Sequence, residues 1–556
     1  MRVLALAAIL GCAAFAQSPS PAVIRVDLAQ APSPLTPIWS FFGHDEPNYT
    51  YMKDGRKLLS ELAALSPVPV YMRVHSLLVT GDGKASFKWG STNAYTEDAS
   101  GKPIYDWTII DRIFDTYMER HMKPLVQIGF MPQALSTHPE PYQHHWKPGD
   151  NYNDIYTGWA YPPKDYSKWA ELVYQWTRHE VQKYGQAEIE TWLWEVWNEP
   201  NIAYWKGTPE EYQKLYDYSA DAVKRALPTA RVGGDDSTGP AGTSAGAFLR
   251  GFLNHVLHGT NYVTGKTGSP LDFVSFHAKG APRFVNGDVI MGIQNQLRDL
   301  NAGFEIVASF PELKNKPVVI GESDPEGCAA CSSRVAPQNA YRNGLMYPSY
   351  TAAVMPRHLD LAARHGINLL GAVTWAFEFE DQPYFDGFRD LATNGVDKPV
   401  LNVFRMLGMM TGNRANVDNP DAAALDDMLR TGVKQKPDVH AMASIDSHSA
   451  AVLVSNYHDS AKPGPAAPID LTISGLPHGR VHVEHFRVDE NHSDSYEVWQ
   501  KMNSPEHPDA AQYAALEAAG QLQMQESPRW AQVADGTLRL QFELPLHGVS
   551  LVRLTW

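Results

Sequence analysis

Cysteine is scarce in this sequence: three residues in 556, Cys12, Cys328 and Cys331. The pair in CAAC (328–331) supplies two thiols, too few for a structural zinc shell of four ligands. A redox role for that C-x-x-C has little support, because such motifs open a helix in a thioredoxin-like unit and this one follows a different pattern. Basic clusters are missing too. With a net charge of −15, a pI near 5.8 and no concentration of Lys and Arg, binding of nucleic acid through phosphate neutralisation is excluded, and a neutral ligand fits better. Beyond the N-terminus no run approaches about 18 uninterrupted apolar residues, which excludes a membrane-spanning helix. No Gly-rich phosphate fingerprint follows an apolar run, and there is no tandem repeat or low-complexity tract.

What is there begins with MRVLALAAILGCAAFAQSPSPA: one basic residue, Arg2, an apolar run of h-region length, and Ala14-Phe15-Ala16 as an A-x-A site before Gln17. This predicts an export signal over residues 1–16 and a periplasmic or secreted protein. Ile9-Leu10-Gly11-Cys12 offers a lipoprotein cleavage site as the second reading. Export to an oxidising compartment makes a small-loop disulfide between Cys328 and Cys331 reasonable. Aromatic residues make up 11% of the chain, with 15 Trp and 25 Tyr. Exposed aromatic faces suit flat, partly apolar ligands such as sugars, although core packing is the commoner role for any one of them. The length predicts one large domain with a smaller companion.

Between Pro37 and Leu407 short apolar runs alternate with amphipathic stretches. The runs are PIWSFFG (37–43), VPVYMRVH (68–75), PLVQIGF (124–130), TWLWEVW (191–197), ARVGG (230–234), FVSFH (273–277), PVVIGE (317–322) and GAVTW (371–375). Each has the length and β-branched or aromatic content of a strand buried on both faces. Helical patterns lie between them, among them 57–65, 108–121, 166–185, 210–227 and 358–366. These units predict an α/β fold, a (β/α)₈ TIM barrel over 37–412. A doubly wound sheet is the alternative, disfavoured by the missing phosphate fingerprint. From 413 to 556 alternating apolar and polar residues predict an antiparallel β-sandwich, interrupted by one helix over 509–522. AVIRVDL (22–28), within the segment 17–36, is positioned to add a strand to that sandwich.

The stretch WLWEVWNEPN (192–201) ends an apolar run with a carboxylate, Glu199, and VVIGES ends the seventh run with another, Glu322. Strands four and seven lie across a barrel from one another, so both acids reach one cleft at its carboxyl face. Opposed carboxyls around a glycosidic bond are the machinery of glycoside hydrolysis, one protonating the leaving oxygen and the other attacking the anomeric carbon. A salt bridge to Arg73 is the competing explanation for either acid alone. Glu195, inside the same strand, reads as a structural partner rather than a catalyst.

These residues carry a family resemblance. WNEPN and VVIGES resemble the retaining hydrolases of the large clan of (β/α)₈ glycosidases. More narrowly, YMRVHS, IGFMP, DFVSFHAKG and the C-terminal VDENHSDSYEVWQKMNSPEHPDAAQYAALEAAGQL are similar to glycoside hydrolase family 39, which contains β-xylosidases and α-L-iduronidase. The resemblance implies Glu199 as general acid/base, Glu322 as nucleophile, and retention of anomeric configuration. It further implies that Asn198 hydrogen-bonds the sugar 2-hydroxyl, that Arg73 holds Glu322 ionised, and that Glu199 starts protonated.

His75 and His277, at the ends of strands two and six, are expected to contact substrate hydroxyls; a satisfied core histidine is the bland reading of each. Trp375 is expected as an apolar platform below the sugar, or else as a plug of the barrel core. Glu378 and Glu380 are candidates for outer hydroxyls, with a solvated loop face as the competing reading, and His44, Asp45 and Glu46 pose the same ambiguity. Lys279 departs from the xylosidase pattern, in which many relatives carry Tyr, and is closer to the iduronidase version. A point cation there suits a substrate carboxylate, or pairs with Glu322 or Glu378. His144 and His145 lack the spacing of a helical zinc pair, so no metal and no cofactor is expected; that loop reads as a border of the sugar cleft, with Trp146 as a second sugar-facing surface. The leading expectation is an exported exo-acting β-xylosidase with side activity on α-L-arabinosides and an oligosaccharide as its partner. An iduronidase-like uronosidase is the alternative. A non-catalytic carbohydrate binder is disfavoured because binding alone needs neither Glu199 nor Glu322.

Overall fold

Each of the eight apolar runs becomes a parallel strand: Phe41–His44, Tyr71–Val74, Lys123–Ile128, Leu193–Val196, Arg231–Ser237, Phe273–Lys279, Pro317–Asp324, and a last one in two pieces, Asn368–Ala372 and Thr374–Trp375. The computed structural model describes residues 20–556 except Ala376, so the export-signal reading of 1–16 and Cys12 lie outside the described residues. The strands pair in chain order. Val318 lies opposite Leu369, and Thr374 returns to Phe42 of the first strand, which closes the sheet into a barrel.

Alternation along the strands decides what enters the barrel. In Leu193–Val196, fully buried throughout, Glu195 points inward to Arg73 of the second strand at 2.5 Å. Its neighbour Trp194 points outward and meets Trp176 of the helix Tyr166–Tyr184 edge-on at 5.6 Å. Helix Pro209–Ala226 starts where a capping box says it should: the Thr208 side chain accepts from the Glu211 amide and Glu211 from the Thr208 amide. Helix Met346–His365 begins twelve residues before the predicted 358. Residues 346–358 are buried all round and include Pro356, so no apolar stripe of period 3.6 announced it.

Beyond the barrel, strands form an 11-stranded sheet that is antiparallel except for one pairing. Residues from distant parts of this sheet, among them Ile24, Val452, Leu471, Val483 and Leu540, share one apolar core, as the two leaves of a sandwich do. The N-terminal strand Ala22–Asp27 sits between Asn413–Asp418, antiparallel, and Ala467–Ser474, parallel. The predicted helix in this region spans Ala510–Gly520 behind an Asp509–Gln512 capping box. Two further short helices, Leu425–Thr431 and Ser495–Lys501, correct the expectation of a single interruption. Each has only seven residues, too few for a periodic stripe to stand out.

Candidate active site

The carboxyl ends of the strands deliver a set of charged side chains to one place. Glu199 follows strand four, Asp236 belongs to the end of strand five, His277 and Lys279 to strand six, and Glu322 to strand seven. Strand two contributes Arg73 and leads into His75, and Asp45 follows strand one. The turn after strand four is tight: Trp197 and Glu199 both adopt left-handed backbone angles, φ 71° and 46°, a conformation that costs a side-chain-bearing residue of order 1–3 kcal/mol. It is held by a bond from the Glu199 amide to the Asp236 carbonyl at 3.0 Å. One carboxylate oxygen of Glu199, one of Glu322 and a ring nitrogen of His277 all lie within 4.8 Å of one another. The surrounding pocket is small, a cavity of about 20 Å³ lined by Asp45, His75, Lys88, Tyr152, Tyr204 and Trp375 with the two glutamates.

Cations decide the state of the acids. Lys279 Nζ bridges them, 2.5 Å from Glu322 and 3.3 Å from Glu199. Burial opposes ionisation of Glu322, but Lys279, His277 and Arg73, in that order, outweigh it and hold its carboxyl well below the usual range. His277 Nδ1 donates to Glu199 at 3.0 Å and Nε2 to Asp236 at 2.8 Å. Burial disfavours its charge, yet Asp236 and Glu322 raise its pKa to about 10, so both ring nitrogens carry protons. Arg73 is fully buried and donates to Glu195, Asn198 and Asp236. A guanidinium has no acceptor, so the Asn198 amide must turn its oxygen to Arg73. The Asn198 Nδ2 is left as a buried donor without a partner among the described residues. The glutamate–histidine–glutamate spacing alone would admit a metal ion, but Lys279, Arg73 and protonated His277 already supply the compensating charge.

The sequence profile of glycosyl hydrolases family 39 matches residues 22–538. The chain belongs to that family. A β-xylosidase of Caldicellulosiruptor saccharolyticus is 27% identical over 80% of this chain and 82% of its own. An α-L-iduronidase of Mus musculus is 25% identical over 98% and 82%. Among solved structures, a monomeric β-xylosidase from Caulobacter crescentus superposes with a TM-score of 0.73 at 22% identity, covering 96% of this chain and 99% of that one, which speaks to the fold.

Within this family-39 glycosidase several expected site residues sit elsewhere or act differently. Glu378 does not line the pocket: it is buried and accepts from the Gly395 amide at 2.6 Å, and burial keeps its carboxyl far above the usual range. Glu380 accepts from the amides of Asp54 and Gly55 and so caps a helix. His277 has no ring nitrogen left for a hydroxyl, because two carboxylates engage both. His75 does line the pocket, neutral under burial and the Arg73 charge, with Nδ1 3.1 Å from Asp45. Trp375 also lines it and donates from Nε1 to Asp45 at 3.1 Å. Glu199 differs from the expected protonated acid: although burial favours the neutral form, Lys279 and the His277 hydrogen bond hold its carboxyl below the ordinary range. Cys328 and Cys331 form a disulfide, and Cys328 with Ala329 borders the pocket. Asp236, Lys88, Arg389, Tyr152 and Tyr204 were not anticipated. Asp236 was within reach of the rule that picked Glu199, an acid where an apolar strand ends; Lys88, in SFKWG, lies in no strand and gave no such signal.

Proposed function

We propose that this protein is a retaining exo-β-xylosidase that releases xylose from short xylo-oligosaccharides, with side activity on α-L-arabinosides. The observation that carries the retaining chemistry is the approach of Glu199 and Glu322 to within 4.8 Å, the narrow separation of double displacement rather than the wider gap that admits a water between the acids. Ionised Glu322 attacks the anomeric carbon as the glycosidic C–O bond breaks and Glu199 gives its proton to the leaving oxygen. Water then attacks the same carbon, losing its proton to Glu199, and Glu322 leaves. A sugar that draws Lys279 away from Glu199 removes the charge that keeps this acid ionised, and lets it take up the proton the first step needs. The unpaired Nδ2 of Asn198 is suited to a sugar hydroxyl. Identity with named β-xylosidases supports the glycone.

One observation favours a second reading. Lys279, with Lys88 and Arg389 also in the lining, gives the pocket cations that suit a substrate carboxylate, as in a uronide. A panel of nitrophenyl glycosides decides between them: hydrolysis of the β-xyloside with a β-configured first product by NMR is expected. Preference for the α-L-iduronide, lost in Lys279→Ala, would replace xylose by a uronic acid. We also propose export, on the strength of residues 1–16; Gln17 should be the first residue of the mature protein on N-terminal sequencing.

A further inference from the structure

Strand five bends where it reaches the active site. Its register on strand six sets Asp235 opposite Ser275 and Ser237 opposite Phe276, so Asp236 falls between the paired positions as the extra residue of a β-bulge. Bulges beside active sites re-aim a side chain. Asp236 also holds a left-handed backbone, φ 56°, a conformation that is unfavourable for a residue with a side chain and persists only where the surroundings enforce it. On strand seven the residue before Glu322 is Gly321, and a Cβ there would overlap Asp236 Oδ1. These three departures share one result: a single carboxylate is brought in among the catalytic groups.

Asp236 is fully buried and outside the pocket lining, so it does not touch substrate. Its Oδ2 accepts from Arg73 and from His277 Nε2, and its carbonyl accepts from the Glu199 amide. His277 Nδ1 in turn stands 3.0 Å from Glu199 and 3.9 Å from Glu322, so the ring that Asp236 grips lies between the two acids. Arg73, the other cation in its grip, lies 3.5 Å from Glu322. One carboxylate thus reaches Glu199 through its backbone and through His277, and Glu322 through His277 and Arg73. We propose that Asp236 is the positioning residue of this active site: by gripping His277 and Arg73 it fixes where Glu199 and Glu322 stand relative to each other. The inference rests on the glycosidase reading of those two acids.

The His277 ring faces Glu199, Asp236 and Glu322 directly. Around it are Lys279 on its own strand, Arg73 on strand two and Asp299 on the helix Gln294–Ala308. Burial opposes the charge of the ring, and Asp236, ahead of Glu322, is the largest contribution that holds its pKa at about 10. Without the Asp236 charge that value falls towards 6.5.

The test is Asp236→Asn, which keeps the shape of the side chain and removes its charge. It is assayed on a nitrophenyl glycoside that the wild type hydrolyses, while nitrogen NMR of histidine-labelled protein follows His277, its signal assigned by its loss in His277→Gln. The expected result is a fall in kcat of about 100-fold with KM changed less than about twofold, the scale of a 1 Å misplacement of catalytic groups. The variant's kcat/KM should also acquire an ionisation between pH 6.5 and 10, at the midpoint where its His277 ring loses a proton. An unchanged kcat, a loss that is equal at every pH, or a His277 titration that stays where the wild type has it overturns the proposal. Should Asp236→Asn fail to fold, the wild-type ring decides: keeping both protons well above pH 6.5 supports the grip, and titrating near 6.5 overturns it. A wild type that hydrolyses no glycoside overturns the glycosidase reading and the positioning role with it, whereas an active wild type with an indifferent Asp236→Asn overturns the positioning role alone.

Discussion

Glu322 and Glu199 sit in one electrostatic field but have unequal tasks, and substitution separates them. If Glu322 is the nucleophile, as proposed, Glu322→Ala should abolish turnover; azide should restore it with inverted product, read by NMR. Glu199→Ala should spare a nitrophenyl glycoside far more than a disaccharide, because a good leaving group needs little protonation. Identical behaviour of the two variants on both substrates would refute the division of roles. His277 carries a prediction in pH. Its proton is held to about 10 in the folded protein against an ordinary 6.5, so the folded state binds that proton more tightly. The stability it contributes is complete below pH 6.5 and drains away as pH rises towards 10. The melting temperature should decline over that window, and decline less in His277→Gln. The sequence made Glu199 and Glu322 legible because an acid ending an apolar strand has few structural excuses. It left Lys279 ambiguous, and the ambiguity was real: one ammonium serves both acids, an arrangement that depends on three strands meeting.

Helix ends show which local signals survive without coordinates. Thr208 and Glu211 cap their helix from within three residues, and the box reads directly from TPEE. Helix Lys53–Ala63 has no such signal: its N-cap, Met52, makes no side-chain bond. Its free amides are met instead by Glu380, 326 residues away. A carboxylate at a helix N-terminus also meets the positive end of the helix dipole. Replacing Glu380 by Ala should cost about 1 kcal/mol of stability, measured by urea denaturation. A loss of xyloside or uronide binding with unchanged stability would return Glu380 to the substrate. Glu378 and Glu380 were misjudged for the same reason. Their positions after strand eight are those of site residues, but the loop turns them away from the pocket, one to Gly395 and one to the first helix.

The strands of the barrel were readable because eight buried runs repeat one pattern, whereas the closing of the sandwich was only half visible. Ile24 shows what the sequence leaves out: VIRVD declares a strand of the sandwich, but not that it lies inside the sheet, between Asn413–Asp418 and Ala467–Ser474. Ile24 is fully buried in the sandwich core. Ile24→Ala should therefore destabilise the protein by about 2–5 kcal/mol, seen as a lower urea midpoint with the aryl-glycosidase activity of the surviving folded fraction intact. A change below about 0.5 kcal/mol, the usual range of a surface substitution, would mean that the strand is dispensable. The parallel register of Ala22–Asp27 against Ala467–Ser474 has a temporal consequence. During translation the earliest of these segments emerges with both flanks bare, and its partners follow only after the entire barrel has left the ribosome, on the order of a minute later. Nascent chains must therefore carry an open sticky edge through most of their synthesis, which makes this the segment where a holding chaperone would matter most.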